Sequence, residues 1–127
     1  MADKHYIPAR NDIVWLDFEP TKGKEIGKYR PALVLSSKEY NSKTGLLMCC
    51  PISTSIRGGV TEVPVNNLDN PSVVAAGLVQ TLSWRERTVK KITEADSGVF
   101  KETLLRLLPL MGADEIIEEL LEHERSL

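Results

Sequence analysis

The amino-acid sequence predicts a mainly β domain with helices at its C-terminal end (an α+β chain), the strands forming a small, partly open barrel. Three observations predict it. Short runs of β-branched, aromatic and aliphatic residues recur from Asp12 to Ile92, separated by Gly, Asn and Pro turns. The pattern then changes to leucines at helical spacing, Leu104, Leu105, Leu107 and Leu108. A chain of 127 residues, 42% hydrophobic and 27% charged, suits one globular unit with a modest core.

Asp12-Ile13-Val14-Trp15-Leu16-Asp17-Phe18 reads as the first strand, with Trp15 in its core, and Pro20 and Gly23 close it. The loop from Glu19 to Tyr29 holds three lysines and two glycines, too few apolar groups to pack on itself. Pro31 to Ser36 is a second strand, apolar enough to be buried on both faces. Ser36 or Ser37 caps a single helical turn over Lys38 to Asn41, and Thr44-Gly45 returns the chain. Leu46 to Pro51 is a third strand. Thr61 to Val65 is a fourth, and its Pro64 favours a sheet edge. Val73 to Gln80 reads as a fifth strand and Thr88 to Ile92 as a short sixth.

A helix is expected from Thr93, with acidic residues in its first turn and Pro109 and Gly112 at its end. Asp114 then caps a second helix. That helix has Ile116, Ile117, Leu120 and Leu121 on one side and glutamates on the other, and packs on the barrel or pairs between subunits. Residues 1–112 form the domain, and residues 113–127 an acidic amphipathic helical extension.

Cys49 and Cys50 are adjacent on a strand and point to opposite faces, so a bond between them would be strained. Reduced, buried thiols are expected. His5 and His123 lie near the chain ends, and no Cys-x-x-Cys is present. Neither a metal nor another cofactor is expected. The first residues lack the apolar run of a signal peptide, and no stretch approaches the roughly 20 apolar residues that span a bilayer. The expectation is a cytoplasmic protein without a membrane partner.

Net charge is −2, which alone argues against a nucleic-acid ligand. Its distribution does not. The tail after Gly112 has six carboxylates (Asp114, Glu115, Glu118, Glu119, Glu122, Glu124) against Arg125, or −5, leaving +3 on the rest. A mildly basic body is compatible with a polyanion.

Metal-free RNA cleavage needs a base for the 2′-hydroxyl, a cation for the phosphorane and an acid for the leaving oxygen. Glu25 and Arg30 flank a turn, and a folded-back loop would bring both to one phosphate. Arginine suits that role because its planar fork donates two parallel hydrogen bonds. Pro31 biases Arg30 to extended backbone at the strand entrance. On composition alone these are ordinary surface charges.

Their setting is less ordinary. Val14-Trp15-Leu16-Asp17-Phe18-Glu19-Pro20-Thr21-Lys22-Gly23, then Glu25, then Arg30-Pro31-Ala32-Leu33-Val34-Leu35-Ser36 closely resemble the N-terminal half of MazF/PemK-family toxins. The likeness continues through Tyr40-Asn41, Lys43-Thr44-Gly45, Pro51-Ile52-Ser53-Thr54 and Ser83-Trp84-Arg85-Glu86-Arg87. It implies an SH3-like barrel that forms a homodimer, with single-stranded RNA or mRNA bound along the dimer groove. It further implies a metal-independent, ribosome-independent, sequence-specific endoribonuclease toxin of a type II toxin–antitoxin system. A MazE-like antitoxin would inhibit it by laying an acidic segment in the same groove.

By match, Arg30 falls on the family's catalytic arginine and Glu25 on its acidic loop position. Ser53 falls where relatives usually carry a threonine, and Thr54 stands beside it as a second hydroxyl. Lys22, Lys24, Lys28, Tyr29, Arg57, Arg85 and Arg87 are candidates for RNA contact. Of Arg85 and Arg87, one is expected to face RNA and the other to form a salt bridge. Two departures stand out. Tyr29 sits where some relatives have histidine, leaving Tyr29 or water as the acid. Gly77-Leu78 replaces a polar Asp-Gln pair, so base preference is expected to differ. A CcdB-like gyrase-trapping toxin shares the barrel and is the alternative, together with an RNA-binding module that has lost turnover.

Overall fold

The computed structural model describes residues 5–19, 23 and 27–127. Seven strands are present: β1 (Asp12–Asp17), β2 (Tyr29–Val34), β3 (Leu46–Ser53), β4 (Glu62–Val65), β5 (Ser72–Ala75), β6 (Gln80–Ser83) and β7 (Lys90–Glu94). Helix α1 (Lys38–Thr44) follows β2, while α2 (Val99–Leu107) and α3 (Ala113–Arg125) end the chain. The strand order is β4-β5-β3-β2-β1-β7, with β6 also on β3, and every pairing is antiparallel.

The long strand β3 organises the sheet. Leu46 to Cys49 pair with β6, Cys49 to Pro51 with β2, and Ile52 and Ser53 with β5. One strand thus changes partners along its length, and the sheet must curl to follow it. Both faces of the curl are packed. Ile13, Leu33, Cys50, Ile52, Val63 and Val74 form one apolar cluster with Val99 and Leu107 of α2. Val14, Leu16, Phe18, Ala32, Val34, Leu47 and Cys49 form the other. Adjacent Cys49 and Cys50 therefore sit in different clusters, both as free thiols.

Strand β2 runs buried from Ala32 into Leu35, as its apolar composition predicts. Ser37, not Ser36, caps α1 by accepting from the Tyr40 amide, and Gly45 ends the helix in the left-handed region. Ser36 does something else. Its hydroxyl donates to Asn41 Oδ1 at 2.5 Å and accepts from the Met48 amide at 2.8 Å. Asn41, fully buried, also donates to the Pro8 carbonyl, and its own carbonyl accepts from Trp84 Nε1 at 2.9 Å. One amide thereby ties the N-terminal segment, β3 and the β6–β7 turn together. Pro64 lies in edge strand β4, where a missing donor costs least.

The structure corrects four expectations. The fifth strand breaks at a 3-10 turn over Ala76–Leu78, because β5 and β6 must reach opposite ends of β3. The helix expected from Thr93 begins at Val99 after Gly98 (φ 95°). Thr93 and Glu94 pair with Ile13 and Asp12 instead, so sheet pairing overrides the acidic helix-start pattern. Gly112 (φ 79°) precedes α3, leaving Asp114 in its first turn rather than at its cap. Finally, Ile116, Ile117, Leu120 and Leu121 of α3 are exposed in the single chain, so of the two expected placements the barrel is excluded and pairing between subunits is left.

Candidate functional site

The N-terminal end of β2 carries three consecutive residues whose side chains part by the pleat. Arg30 pairs with Leu16, and Trp15 pairs with Pro31. Cross-strand partners share a face. Arg30 thus lies on the side of Leu16 and Ala32, while Tyr29 and Pro31 lie on the side of Trp15. The β2–β3 register sets Ala32 against Pro51 and Leu33 against Cys50. By strand alternation Ser53 lies on the Pro51 side of β3, and Arg30 on the Ala32 side of β2.

Arg30 is half-buried, and its Nε donates to the Gly27 carbonyl at 2.7 Å. That bond orients the fork. Partial burial pushes the guanidinium below its usual value, while arginine remains charged at neutral pH. A cation with fewer waters around it attracts a phosphate more strongly. Ser53 Oγ accepts from the Ser55 amide at 3.0 Å, which holds the strand end in a tight turn and leaves the hydroxyl proton to donate.

The base of the preceding loop is held firmly. Glu19 Oε1 accepts from the Lys28 amide at 2.9 Å, and the Phe18 amide donates to the Lys28 carbonyl at 3.0 Å. Lys28 has φ 72°, a left-handed conformation that a β-carbon resists. This strained residue turns the chain into Tyr29 and Arg30. Arg87 Nη1 donates to the carbonyls of Asp17 and Glu19 at 2.7 and 2.6 Å, fastening the other side of the loop. Glu25, Lys22 and Lys24 lie outside the described residues.

Arg85 stacks on Trp84, with 5.3 Å from guanidinium to ring centroid, and donates to the Ser42 carbonyl. Arg85 and Arg87 thus bond to backbone carbonyls, where an ion pair was expected of one. Arg57 is exposed in the β3–β4 connection, and its amide and that of Gly58 donate to Glu62. Lys28 and Thr54 are exposed as well.

Trp15 corrects another expectation. It is 36% exposed, stacked on Tyr29 with ring centroids 5.4 Å apart and planes 13° from parallel. It lines a cleft of about 350 Å³ with Pro31, Leu68, Ile92, Thr54, Thr93, Asn67, Asp69, Asn70 and Ser72. Ser72 opens β5, and Asn67, Leu68, Asp69 and Asn70 come from the β4–β5 connection. Its run Asn66-Asn67-Leu68-Asp69-Asn70-Pro71 is polar and punctuated, the only hint available.

Residues 9–111 match the family model described as PemK-like, MazF-like toxin of type II toxin–antitoxin systems. The chain belongs to this family. It is 41% identical over 86 residues to the endoribonuclease toxin MazF of Escherichia coli strain K12, covering 68% of this chain and 78% of that one. Its fold superposes on crystalline MazF from Deinococcus radiodurans with a TM-score of 0.81 and 39% identity, over 84% of this chain and 98% of that one. A MazE–MazF crystal structure from the same organism matches with a TM-score of 0.73 and 34% identity, over 85% and 99% of the two chains. The curled antiparallel sheet with C-terminal helices is the MazF-like fold. Helix α3 begins beyond the matched residues.

Proposed function

We propose that this MazF-like endoribonuclease toxin cuts single-stranded RNA where the end of β2 meets the end of β3, with Arg30 and Ser53 on the scissile phosphate. The reading is supported by strand alternation, which puts Arg30 on the side of Ala32 and Ser53 on the side of its partner Pro51, and by the Gly27 carbonyl that orients the Arg30 fork. Relatives named as endoribonucleases favour this over the gyrase-trapping alternative.

The reaction follows from those groups. A base removes the 2′-hydroxyl proton, and by family match Glu25 supplies that carboxylate. The 2′-oxygen attacks the adjacent phosphorus, forming a cyclic phosphate as the bond to the 5′-oxygen breaks. Arg30 and the Ser53 hydroxyl stabilise charge on the non-bridging oxygens. Water protonates the departing 5′-oxygen, because Tyr29 is turned to the other face and stacked on Trp15. No step calls for a metal, for the ribosome, or for help beyond the chain.

A homodimer and an antitoxin complete the reading. An apolar groove of about 640 Å³ lies between α2 and β2–β3, lined by Leu35, Met48, Phe100, Leu104, Leu107 and Met111, and suits a second copy. A similar chain was crystallised as MazE–MazF. A MazE-like acidic segment would compete with RNA for the same basic rim. No helix among the described residues is long and apolar enough to cross a membrane, and the protein works where mRNA is, in the cytoplasm.

The test is to incubate the protein with a long RNA in EDTA and repeat with Arg30→Ala. Wild type should cut at discrete sites, and the variant should lose on the order of 100-fold in rate or more. An intact RNA with wild type overturns the metal-free nuclease. Cutting that survives in the variant overturns the role of Arg30.

A further inference from the structure

We propose that α3 is an exchanged arm: in the homodimer, the apolar side of each α3 seats in the groove between α2 and β2–β3 of the other copy. The inference rests on the homodimer reading above and names the segment that fills its groove.

Helix α3 lacks a partner within its own chain. It lies beyond the residues that the family model matches, and none of its residues is buried. A helix of 13 residues alone in water is marginal. Ile116, Ile117, Leu120 and Leu121 fall on one side of it, and all four are exposed. An apolar side of that size calls for a surface to cover it.

The groove is complementary in kind. Leu35, Met48, Phe100, Leu104 and Leu107 make it apolar, Arg10 is the charged residue in its lining, and no carboxylate lines it. Beside the lining, Glu39 and Glu102 are paired with Lys43 and Arg106. Lys38 and Lys101 are exposed there and form no ion pair among the described residues. The rim is therefore basic. On α3, Glu118 and Glu119 flank the apolar side, and Glu124 stands one turn beyond Leu120 and Leu121 on that same side. Seated in the groove, the helix brings these carboxylates towards cations. Two α3 helices packed on each other would set glutamates against glutamates, which is disfavoured. Charge thus selects the groove over a second α3.

The path of the chain selects the other copy's groove. Met111 lines the groove at its edge, and Gly112 (φ 79°) starts α3 directly after it. From there the helix runs away with its apolar residues uncovered, leaving its own groove open. At about 1.5 Å per residue it is about 20 Å long, enough to reach onto a neighbouring copy. Under two-fold symmetry the exchange is reciprocal, and both arms are seated.

Two measurements test it. In the first, the full chain, residues 1–112 and Leu120→Glu are sedimented over a concentration series. Leu120 is exposed in the single chain, so that substitution leaves the folded protomer intact. The full chain should dimerise, and both altered forms should dissociate at least about tenfold more readily. In the second, a spin label is placed on Glu122→Cys, on the polar side of α3, while buried Cys49 and Cys50 escape it. Mixed with isotope-labelled unmodified chain, it should broaden the Met48 methyl and Phe100 ring signals of the unmodified copy. Broadening confined to the other copy's α3, or absent from a dimer, overturns the proposal. Unchanged dissociation of both altered forms overturns the arm and leaves the homodimer standing. A full chain that stays monomeric throughout the series overturns the homodimer reading and the arm with it.

Discussion

The Trp15 and Tyr29 rings lie 5.4 Å apart and 13° from parallel, neighbours across β1 and β2 on the face away from Arg30. Tyr29 therefore supports Trp15, although in sequence it adjoins Arg30, the proposed phosphate ligand. Tyr29→Phe should keep the stack and leave the cleavage rate within about threefold of wild type. Tyr29→Ala should lose about 0.5–1.5 kcal/mol of stability and weaken RNA binding. Thermal unfolding and single-turnover cleavage check both. A Tyr29→Phe variant with wild-type stability and a collapsed rate would restore the phenol as the acid.

Asn41 is the buried junction of Ser36, Pro8 and Trp84. Replacing it with leucine fills the volume but strands the Ser36 hydroxyl and the Pro8 carbonyl. Each stranded group costs about 1–3 kcal/mol, so Asn41→Leu should lower Tm by on the order of 10 °C. Calorimetry on the variant measures this. A shift under a few degrees would mean that the network relaxes at little cost.

Burial pushes the Cys50 thiol up to about 12 and raises that of Cys49 further, with Cys50 itself adding to the effect on Cys49. An unfolded thiol ionises near about 8.5. The folded state thus disfavours the thiolates, and the stability this represents is complete below about pH 8.5 and declines as pH rises through the folded values. The chain should unfold more readily between about pH 9 and 12. At pH 8, a thiol reagent should label the native protein on the order of 100-fold more slowly than the urea-unfolded chain. Fast native labelling would show that the strand opens.

Every residue of α3 from Asp114 onward is exposed, including Ile116, Ile117, Leu120 and Leu121. In dilute, monomeric protein, removing residues 113–127 should therefore change Tm by less than about 2 °C and leave cleavage unchanged. A rise in cleavage on truncation would instead show that the acidic helix restrains RNA in solution. Melting curves and initial rates on the shortened chain decide between them.

Much of the sheet was legible because strand signals here are local. Alternation, β-branched runs and punctuating turns mark β1 to β4, and Pro64 even marks the edge. The errors fall where a partner decides. Thr93 and Glu94 look like a helix start and become strand because β1 offers them hydrogen bonds. Val73 to Gln80 looks like one strand and becomes two because β3 requires partners at both ends. Trp15 looks like core by type, yet its register places it opposite Pro31 at a rim.

By itself, the sequence determined the strand content, the family and the identity of Arg30, Ser53 and Thr54 as the groups to watch, since residue type and order carry that information. It also showed the mildly basic body beneath an acidic tail. Only the tertiary structure decided which of those groups share a face. The pleat sends Arg30 and Ser53 one way and Tyr29, Pro31 and Thr54 the other. A connection more than fifty residues after Trp15 supplies Asn67, Asp69 and Asn70 to its cleft. Spacing along the chain cannot predict that meeting, because register and sheet curl are set by hydrogen bonds between strands distant in sequence.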